Sequence, residues 1–495
     1  MSKIPQYKKD SSLKIPKKEK LFFGAADLYG GGAQALITAV YLVFLVSNGL
    51  SIALAGIIVM IAKLWDAVTD PLMGVISDNT RTKWGRRRPY MFTGGFLIIV
   101  AFLLLFLPLY NMTSMPLKFA IYLFAYLFYS TLSTVINVPY SSMSTEISTD
   151  YEENTKVNTI RLIFSMVSSA ISSGVPIVLI EKLQDGEMSV GRFSSIIIIV
   201  FGLFYCIPLV LAAINCKERA SIPKEKSVFS IKTFLKPLKV KAFVYMLVFY
   251  LCAYSCMDLI ATNVIFFAEY GLNFNLSSIF ILGLIMISYA LMVPVIYHLM
   301  KKGWAKPLLF RMGIPLYILG IVCLCLYPQG GNSVPILIFC VLIGVGMSGC
   351  QMMPWIIFPD VVDIGELKFN ERQTGSYSGL MTFIKKSTSA IAIGISSLVL
   401  DATGFVKPVT DYSTGIVTKF AQPKSAEWGL RMVIMIPVIL FITVAFIYAR
   451  KLKLNPKRSC KIKEFIDLQK EDRLNEDSMS VEDWQEYKQI EKDLF

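Results

Sequence analysis

The chain has 495 residues, is 55% hydrophobic and 13% aromatic, and carries only 17% charged residues, against roughly 25% in a globular domain. That is too little charge to solvate a surface of this size, and it excludes an ordinary soluble enzyme. The net charge of +14 does not argue for a nucleic-acid partner, because the lysines and arginines sit in loops beside apolar segments, where they orient spans in a membrane.

Residues 1–20 are basic and are not followed by a short apolar core with a small-residue cleavage site, so they read as a retained cytoplasmic tail. Apolar segments then recur at roughly 20 residues each, the length that crosses about 30 Å of hydrocarbon as helix. They fall near 21–46, 52–75, 90–110, 117–140, 157–180 and 193–215, and again near 241–268, 275–299, 307–327, 334–358, 376–401 and 427–450. The expected fold is all-α and polytopic, with twelve transmembrane helices. An N-terminal six-helix bundle over 21–216 and a C-terminal one over 241–450 are separated by a lysine-rich connector, 217–240, and followed by a polar tail, 451–495. In such six-plus-six proteins the two bundles enclose a substrate site near the bilayer midplane and rock to alternate its access.

Orientation is read from the short loops. Arg81, Lys83, Arg86, Arg87 and Arg88 follow span two, the connector follows span six, and Lys301, Lys302 and Lys306 follow span eight, whereas loops near 47–51, 111–116 and 328–333 have neither lysine nor arginine. The positive-inside rule places both termini in the cytoplasm of a multi-pass protein of the cell membrane. The tail ends in SVEDWQEYKQIEKDLF, which fits either a short surface helix through Trp484, Tyr487 and Ile490 or a frayed end.

Charges inside the spans carry the functional argument. Span one reads GAADLYGGGAQ, combining Asp27 with three glycines that allow close backbone approach. Span two places Asp66 and Asp70 four residues apart on one helix face, and a carboxylate facing lipid is costly, so that face is expected to meet the protein interior. Such a pair can accept hydrogen bonds from a polyol, hold a small hard cation or share a proton; alternatively it holds cationic neighbours, for which Lys63, Arg161 and Lys386 are candidates. Pro71 disturbs the helix beside Asp70. Span four offers a polar face with Ser133, Asn137 and Ser141, suited to a sugar hydroxyl or to a helix-to-helix hydrogen bond. Gln351 and Trp355 of span ten are four apart and could offer an amide and a stacking surface, or Trp355 an interfacial anchor. His298, the single histidine, reads as interfacial. The nine cysteines lack metal-ligand spacing, and neither a cofactor nor a structural metal is expected.

The stretch KLWDAVTDPLMGVISDNTRTKWGRRRP resembles the glycoside-pentoside-hexuronide:cation symporters, the branch of the major facilitator superfamily that includes the melibiose carrier. A second stretch, FPDVVDIGELKFNERQTGSYSGLMTFIKK, is similar to that family's loop between spans ten and eleven. The resemblance covers roughly residues 20–450. It implies the major facilitator fold and symport of a sugar, glycoside or hexuronide with Na+ or H+ as coupling ion. It implies cation and sugar contacts for Asp66 and Asp70, a sugar contact for Arg161, and a place near the charged centre for Lys386. Asn137 stands where the melibiose carrier has an aspartate of its sugar and cation sites, and Gly32 where it has a sugar-contacting aspartate. Asp27 matches an acidic position of other members, which suggests a different substrate within the same class. Substrate contacts are thus expected at Asp27, Asp66, Asp70, Asn137, Arg161, Gln351, Trp355 and Lys386, and cation contacts at Asp66, Asp70 and Asn137. Asp78, Arg81, Arg86, Arg87 and Arg88 are expected to bias outward and inward forms through contacts with helix ends. A single chain suffices for the pathway, so a monomer is the default. The rival readings on the same fold are an uncoupled facilitator or exporter and a carrier of lipid-like cargo; a membrane enzyme lacks a recognisable nucleophile, metal set or acid–base pair.

Overall fold

A computed structural model describes residues 15–147, 151–219, 231–272, 278–371, 374–471, 473–474 and 479–495; residues 1–14 of the basic tail and 220–230 of the connector lie outside them. Twelve helices are long and apolar enough to cross a membrane: α1 Lys17–Ser47, α2 Ile52–Asn79, α3 Arg88–Leu105, α4 Met115–Ser144, α5 Lys156–Gln184, α6 Val190–Asn215, α7 Lys241–Leu272, α8 Phe280–Lys301, α9 Lys306–Leu326, α10 Ser333–Phe369, α11 Gly375–Ala402 and α12 Lys424–Lys451. The molecule is an all-α polytopic membrane protein of the major facilitator type, with twelve spans consistent with two six-helix bundles. Its only strands among the described residues form a hairpin between α11 and α12, where β1 Val409–Thr410 pairs antiparallel with β2 Val417–Thr418.

The helices outrun the expected segments mainly at one end. The α10 helix runs 37 residues to Phe369, with Pro354 and Pro359 inside it rather than ending it, and Asn370, left-handed at φ 54°, finally stops it. In the polar tail, α13 Pro456–Lys470 and α14 Val481–Leu494 both form, each capped by a side chain, Asn455 on the Arg458 amide and Ser480 on the Asp483 amide. Of the two alternatives for the chain's end, the helix is the one present: Ile490 is buried, and the Trp484 and Tyr487 rings stack at 5.4 Å.

The chain divides into two compact units. The first comprises residues 1–50, 68–228 and 409–418, and the second 51–67, 229–408 and 419–495. One division separates α6 from α7; another passes through α2 itself, so that Ala67 and everything before it in that helix groups with the second unit.

In the first unit α1 packs along α5, and the glycines explain how closely. A Cβ on Gly31 would stand 2.2 Å from the Ser165 Oγ and 2.6 Å from that residue's backbone oxygen, and one on Gly32 would stand 2.1 Å from the Ser168 Oγ. The polar residues of α5 therefore face bare backbone, and the Ser168 hydroxyl donates to the Leu28 carbonyl at 2.5 Å. In the second unit α10 packs on α9 through Gly313 and Gly346, where an added Cβ on Gly313 would meet the Gly346 carbonyl oxygen at 2.2 Å. The first half of α2 packs on α11 in the same way: Gly56 faces Ser397, and Gly394 faces Met60. Close backbone approach of this kind substitutes for the hydrophobic driving force that is absent between helices in lipid.

Candidate functional site

A charged side chain at the centre of a span costs about 3 kcal/mol to insert, so each one needs a partner that repays it. In the first unit Asp27 of α1 is buried, and its Oδ2 lies 3.6 Å from the Arg161 Nε of α5. The Arg161 guanidinium also lies over the Tyr140 ring, 5.7 Å from its centroid, and the Tyr140 hydroxyl donates to the Phe23 carbonyl of α1 at 2.8 Å. Gly30 leaves the room: a Cβ there would stand 2.4 Å from the Asp27 Oδ1 and 3.7 Å from the Asn137 Oδ1. The Asn137 carboxamide donates within α4 to the Ser133 hydroxyl at 3.1 Å. Asp70 accepts from the Thr134 hydroxyl at 2.8 Å, and Thr69 approaches Thr134 at 3.3 Å. Thr134 and Asn137, three apart, thus share a face of α4 that presents to Asp70 and Asp27 the hydroxyl and amide chemistry expected of a polar site.

In the second unit the centre is formed by α2, α7, α10 and α11. The Lys386 Nζ lies 2.5 Å from the Asp66 Oδ2. Lys385, the next residue, faces another way around α11 and lies 3.6 Å from the Oδ2 of Asp258 on α7. The buried Ser389, one turn further along α11, donates to the same Asp258 oxygen, and Lys63 of α2 reaches the Ser389 hydroxyl at 3.5 Å. Lys385 also sits over the Tyr254 ring at 5.6 Å. The Tyr254 hydroxyl accepts from the Trp355 Nε1 at 2.7 Å and donates to the Gln351 carbonyl at 3.1 Å.

The residues singled out in the sequence are thereby distributed. Asp27, Asp70, Asn137 and Arg161 gather in the first unit; Asp66, Lys386, Gln351 and Trp355 belong to the second. Gln351 is 5% exposed, and its amide donates to the Ala253 carbonyl at 3.0 Å, which ties α10 to α7. Trp355 is 47% exposed, and its ring meets that of Tyr250 edge-on at 5.7 Å. Asp258, Lys385, Tyr254 and Ser389 were not anticipated. A lone carboxylate in the apolar run YSCMDLIAT carries the same signal as Asp66, and the first lysine of FIKK the same as the second.

The loop between α2 and α3 is held by an acidic residue that sequence reasoning missed. Glu218 accepts from the backbone amides of Arg86 at 3.0 Å, Arg87 at 2.8 Å and Arg88 at 3.2 Å, at the positive end of the α3 dipole. Gly85, at φ 108°, permits this, since a Cβ there would stand 2.6 Å from the Glu218 Oε1. Arg87 pairs with Asp78 and donates to the Ser77 hydroxyl at 2.5 Å. Arg88 donates to the Ala213 and Ile214 carbonyls at the end of α6, at 2.7 and 2.8 Å. Arg81 makes exposed bonds to the Asp78 and Thr80 carbonyls of its own loop. Asp78, Arg86, Arg87 and Arg88 therefore tie helix ends together, and Arg81 bonds carbonyls of its own loop.

No group of three or more histidine, cysteine, aspartate or glutamate side chains among the described residues could hold a metal ion, and all nine cysteines are free. The arrangement suits reversible binding of polar or charged solutes.

Among known proteins, the isoprimeverose transporter of Lactiplantibacillus pentosus is 24% identical over 90% of this chain and 90% of its own length. The sodium-dependent lysophosphatidylcholine symporter 1 of Mus musculus is 24% identical over 78% of this chain and 76% of its own. In fold the chain is similar to the crystal structure of the nucleoside transporter NupG, with a TM-score of 0.58 at 13% identity over 88% of this chain and 98% of that one. The profile of the family described as MFS/sugar transport protein matches residues 22–456. The chain belongs to that family and is a secondary transporter of the major facilitator superfamily, of the symporter-like kind, rather than an enzyme.

Proposed function

We propose that the protein carries a sugar, glycoside or hexuronide across the cell membrane by cation-coupled symport. The observation that carries this reading is the Asp66–Lys386 ion pair at 2.5 Å, one turn from Asp70 on a helix that crosses hydrocarbon. An ion pair in a span is a structural expense unless exchanging its partners does work. A coupling cation arriving at Asp66 or Asp70 competes with the lysine, frees Lys386 for substrate, and so makes each ligand favour the other's binding. Asp27, Arg161 and Asn137 supply further sugar-binding donors and acceptors, Trp355 a stacking face, and Asn137 a neutral oxygen for the ion. The name of the isoprimeverose transporter supports a sugar, and that of the sodium-dependent lysophosphatidylcholine symporter supports sodium. The loop of Asp78, Arg81, Arg86, Arg87 and Arg88 faces the cytoplasm with both termini, and its contacts to helix ends make and break as access alternates. One chain in the bilayer suffices.

The test is uptake of radiolabelled glycosides, pentosides and hexuronides into proteoliposomes under an imposed sodium gradient, a proton gradient, or neither. Accumulation driven by one gradient names the ion and supports symport. Equilibration indifferent to both overturns coupling, and silence across the panel in folded protein redirects the search to lipid-like cargo.

A further inference from the structure

Where α9 begins and α12 ends, the basic residues of the second unit fall into two sets. The first set is bound by the chain's own acids. Lys453 and Arg458 pair with Asp493 of α14 at 3.0 and 3.1 Å, Lys461 with Asp483 and Glu486 of the same helix, and Lys306 with Asp360 of α10. The second set is not: Arg311 of α9, Arg450 and Lys451 of α12 and Lys457 of α13 have no carboxylate within 4.0 Å among the described residues. Arg311 is half-buried, donates from Nε to the Pro307 carbonyl of its own helix at 3.2 Å, and lies over the Phe446 ring of α12, 6.0 Å from its centroid. Arg450 is exposed and stands one turn beyond Phe446 on the same face of α12. The two guanidinium groups are close enough for the charge of one to act against the other. Like charges side by side at the rim of hydrocarbon destabilise the helix ends that carry them unless an anion lies between them. The surroundings say where that anion comes from. Leu308 and Met312 beside Arg311, and Ile447 one turn before Arg450, are exposed apolar side chains, as on a surface that meets lipid. Trp304, just before α9, and Tyr448, whose ring lies 4.8 Å from the Lys451 Nζ, are rings of the kind that collect at the headgroup level.

We propose that Arg311 and Arg450 clamp the phosphodiester of an anionic phospholipid, with Lys451 and Lys457 adding charge around it, so that the lipid ties the start of α9 to the end of α12. The planar fork of a guanidinium matches phosphate oxygens two at a time, and basic pockets between spans are where anionic headgroups bind. A zwitterionic headgroup brings its own ammonium and offsets neither arginine. The acids of α14 occupy Lys453, Arg458 and Lys461, which confines the lipid to the α9–α12 edge. The seat is independent of what the protein carries.

The experiment follows the melting temperature of the full chain, purified in an uncharged detergent, as phosphatidylglycerol, phosphatidylcholine or inorganic phosphate is added at matched concentration, and counts bound lipid by native mass spectrometry. Wild type is expected to bind phosphatidylglycerol with an apparent Kd about tenfold or more below that of phosphatidylcholine, and to gain melting temperature from the first alone. Arg450→Gln removes the repulsion together with the clamp. It is expected to melt at or above wild type without lipid and below it in saturating phosphatidylglycerol. Arg311→Gln is expected to erase most of the preference, and Arg450→Lys, which keeps the charge and loses the fork, to retain part of it. Lys301→Gln with Lys302→Gln, on the exposed turn before α9, is expected to bind as wild type does. Equal binding of the two lipids by wild type overturns the proposal. So does a preference that survives in the folded Arg311→Gln, Arg450→Gln double variant or falls as far in the Lys301, Lys302 variant, since either reduces it to general attraction toward a basic face. An unchanged order of melting temperatures with and without lipid gives Arg450 a structural role and overturns the clamp. Stabilisation by inorganic phosphate equal to that by phosphatidylglycerol overturns lipid as the occupant. The wild-type comparison of the three additives decides should a variant fail to fold.

Discussion

Asp66 and Lys386 meet inside segments that cross hydrocarbon, and removal of either takes from the other the counter-charge that lies 2.5 Å away. Loss of one member of such a pair costs more than loss of both. Lys386→Ala is therefore expected to lower the melting temperature of detergent-purified protein more than the double variant Lys386→Ala with Asp66→Asn, and the three thermal transitions read this directly. Asp66→Asn and Asp70→Asn, which keep shape and remove charge, are expected to reduce gradient-driven accumulation more than tenfold; accumulation at wild-type level in either variant would exclude that carboxylate from coupling. Outside the spans, Glu153 accepts from the Lys20 Nζ at 2.6 Å, the Ile15 amide at 3.0 Å and the Lys156 Nζ at 3.3 Å. These bonds, that from Lys20 foremost, hold its carboxyl down at about 2, against 4.5 in the unfolded chain. A depressed acid stabilises the fold fully above the higher value and loses that contribution as pH falls toward the lower. The melting temperature of Glu153→Gln should thus lie below wild type at pH 7, and the gap should close between pH 4.5 and 2. Charges of this kind are the part of the site most legible in sequence, because a carboxylate or lysine stands out in an apolar run. Asp258 carried that signal too. What hid was the pairing: which lysine of FIKK meets which aspartate depends on helix rotation, and Ser389 and Tyr254 are indistinguishable in sequence from hydroxyls that bond their own helix.

At the scale of helices the packing turns on a few glycines, and they predict opposite outcomes for the same substitution. Gly31→Ala places a methyl 2.2 Å from the Ser165 Oγ and 2.6 Å from its backbone oxygen, so α1 and α5 must part. Overpacking of that kind costs about 1–3 kcal/mol, and the variant is expected to show a lower melting temperature and reduced insertion. Gly191 of α6 has nothing within 4 Å of an added Cβ, and Gly191→Ala is expected to match wild type in both assays. Equal behaviour of the two would refute the close α1–α5 contact. The twelve helices themselves were legible from length and hydropathy, since lipid leaves the backbone no alternative to internal hydrogen bonding. Their extents were less so: Pro354 and Pro359 inside α10 look like terminators in sequence, yet neighbouring helices keep the chain helical through them. The β1–β2 hairpin left no mark, because two-residue strands have no period to read. Glu218 was equally illegible, since its partners are backbone amides and depend only on where α3 begins.

For the whole molecule the decisive property is orientation, and it follows from charge counted by loop rather than from any contact. Arginine and lysine cluster in the segments after α2 and α8 and are absent from the loops after α1, α3 and α9, and translocation of basic residues is disfavoured in short loops. The chain carries its own reporter for this. Cys460 of α13 is exposed, whereas the other eight cysteines are buried or half-buried, and its thiol stands in the polar tail. In intact cells a membrane-impermeant maleimide is expected to leave Cys460 unlabelled and, once the membrane is permeabilised, to label it; Cys460→Ser removes that signal. In the Cys460→Ser background, cysteines placed at the exposed positions Thr113 and Lys302 separate the two faces: Thr113→Cys should react from outside, and Lys302→Cys only after permeabilisation. The reverse pattern would invert the protein, put the Glu218-capped arginine loop on the outer face, and require that any gradient-driven accumulation be read as export. Labelling of both positions from one side would break the alternation of loops and with it the odd number of crossings, α4 to α8, between them, so the same three thiols test the span count as well as its direction.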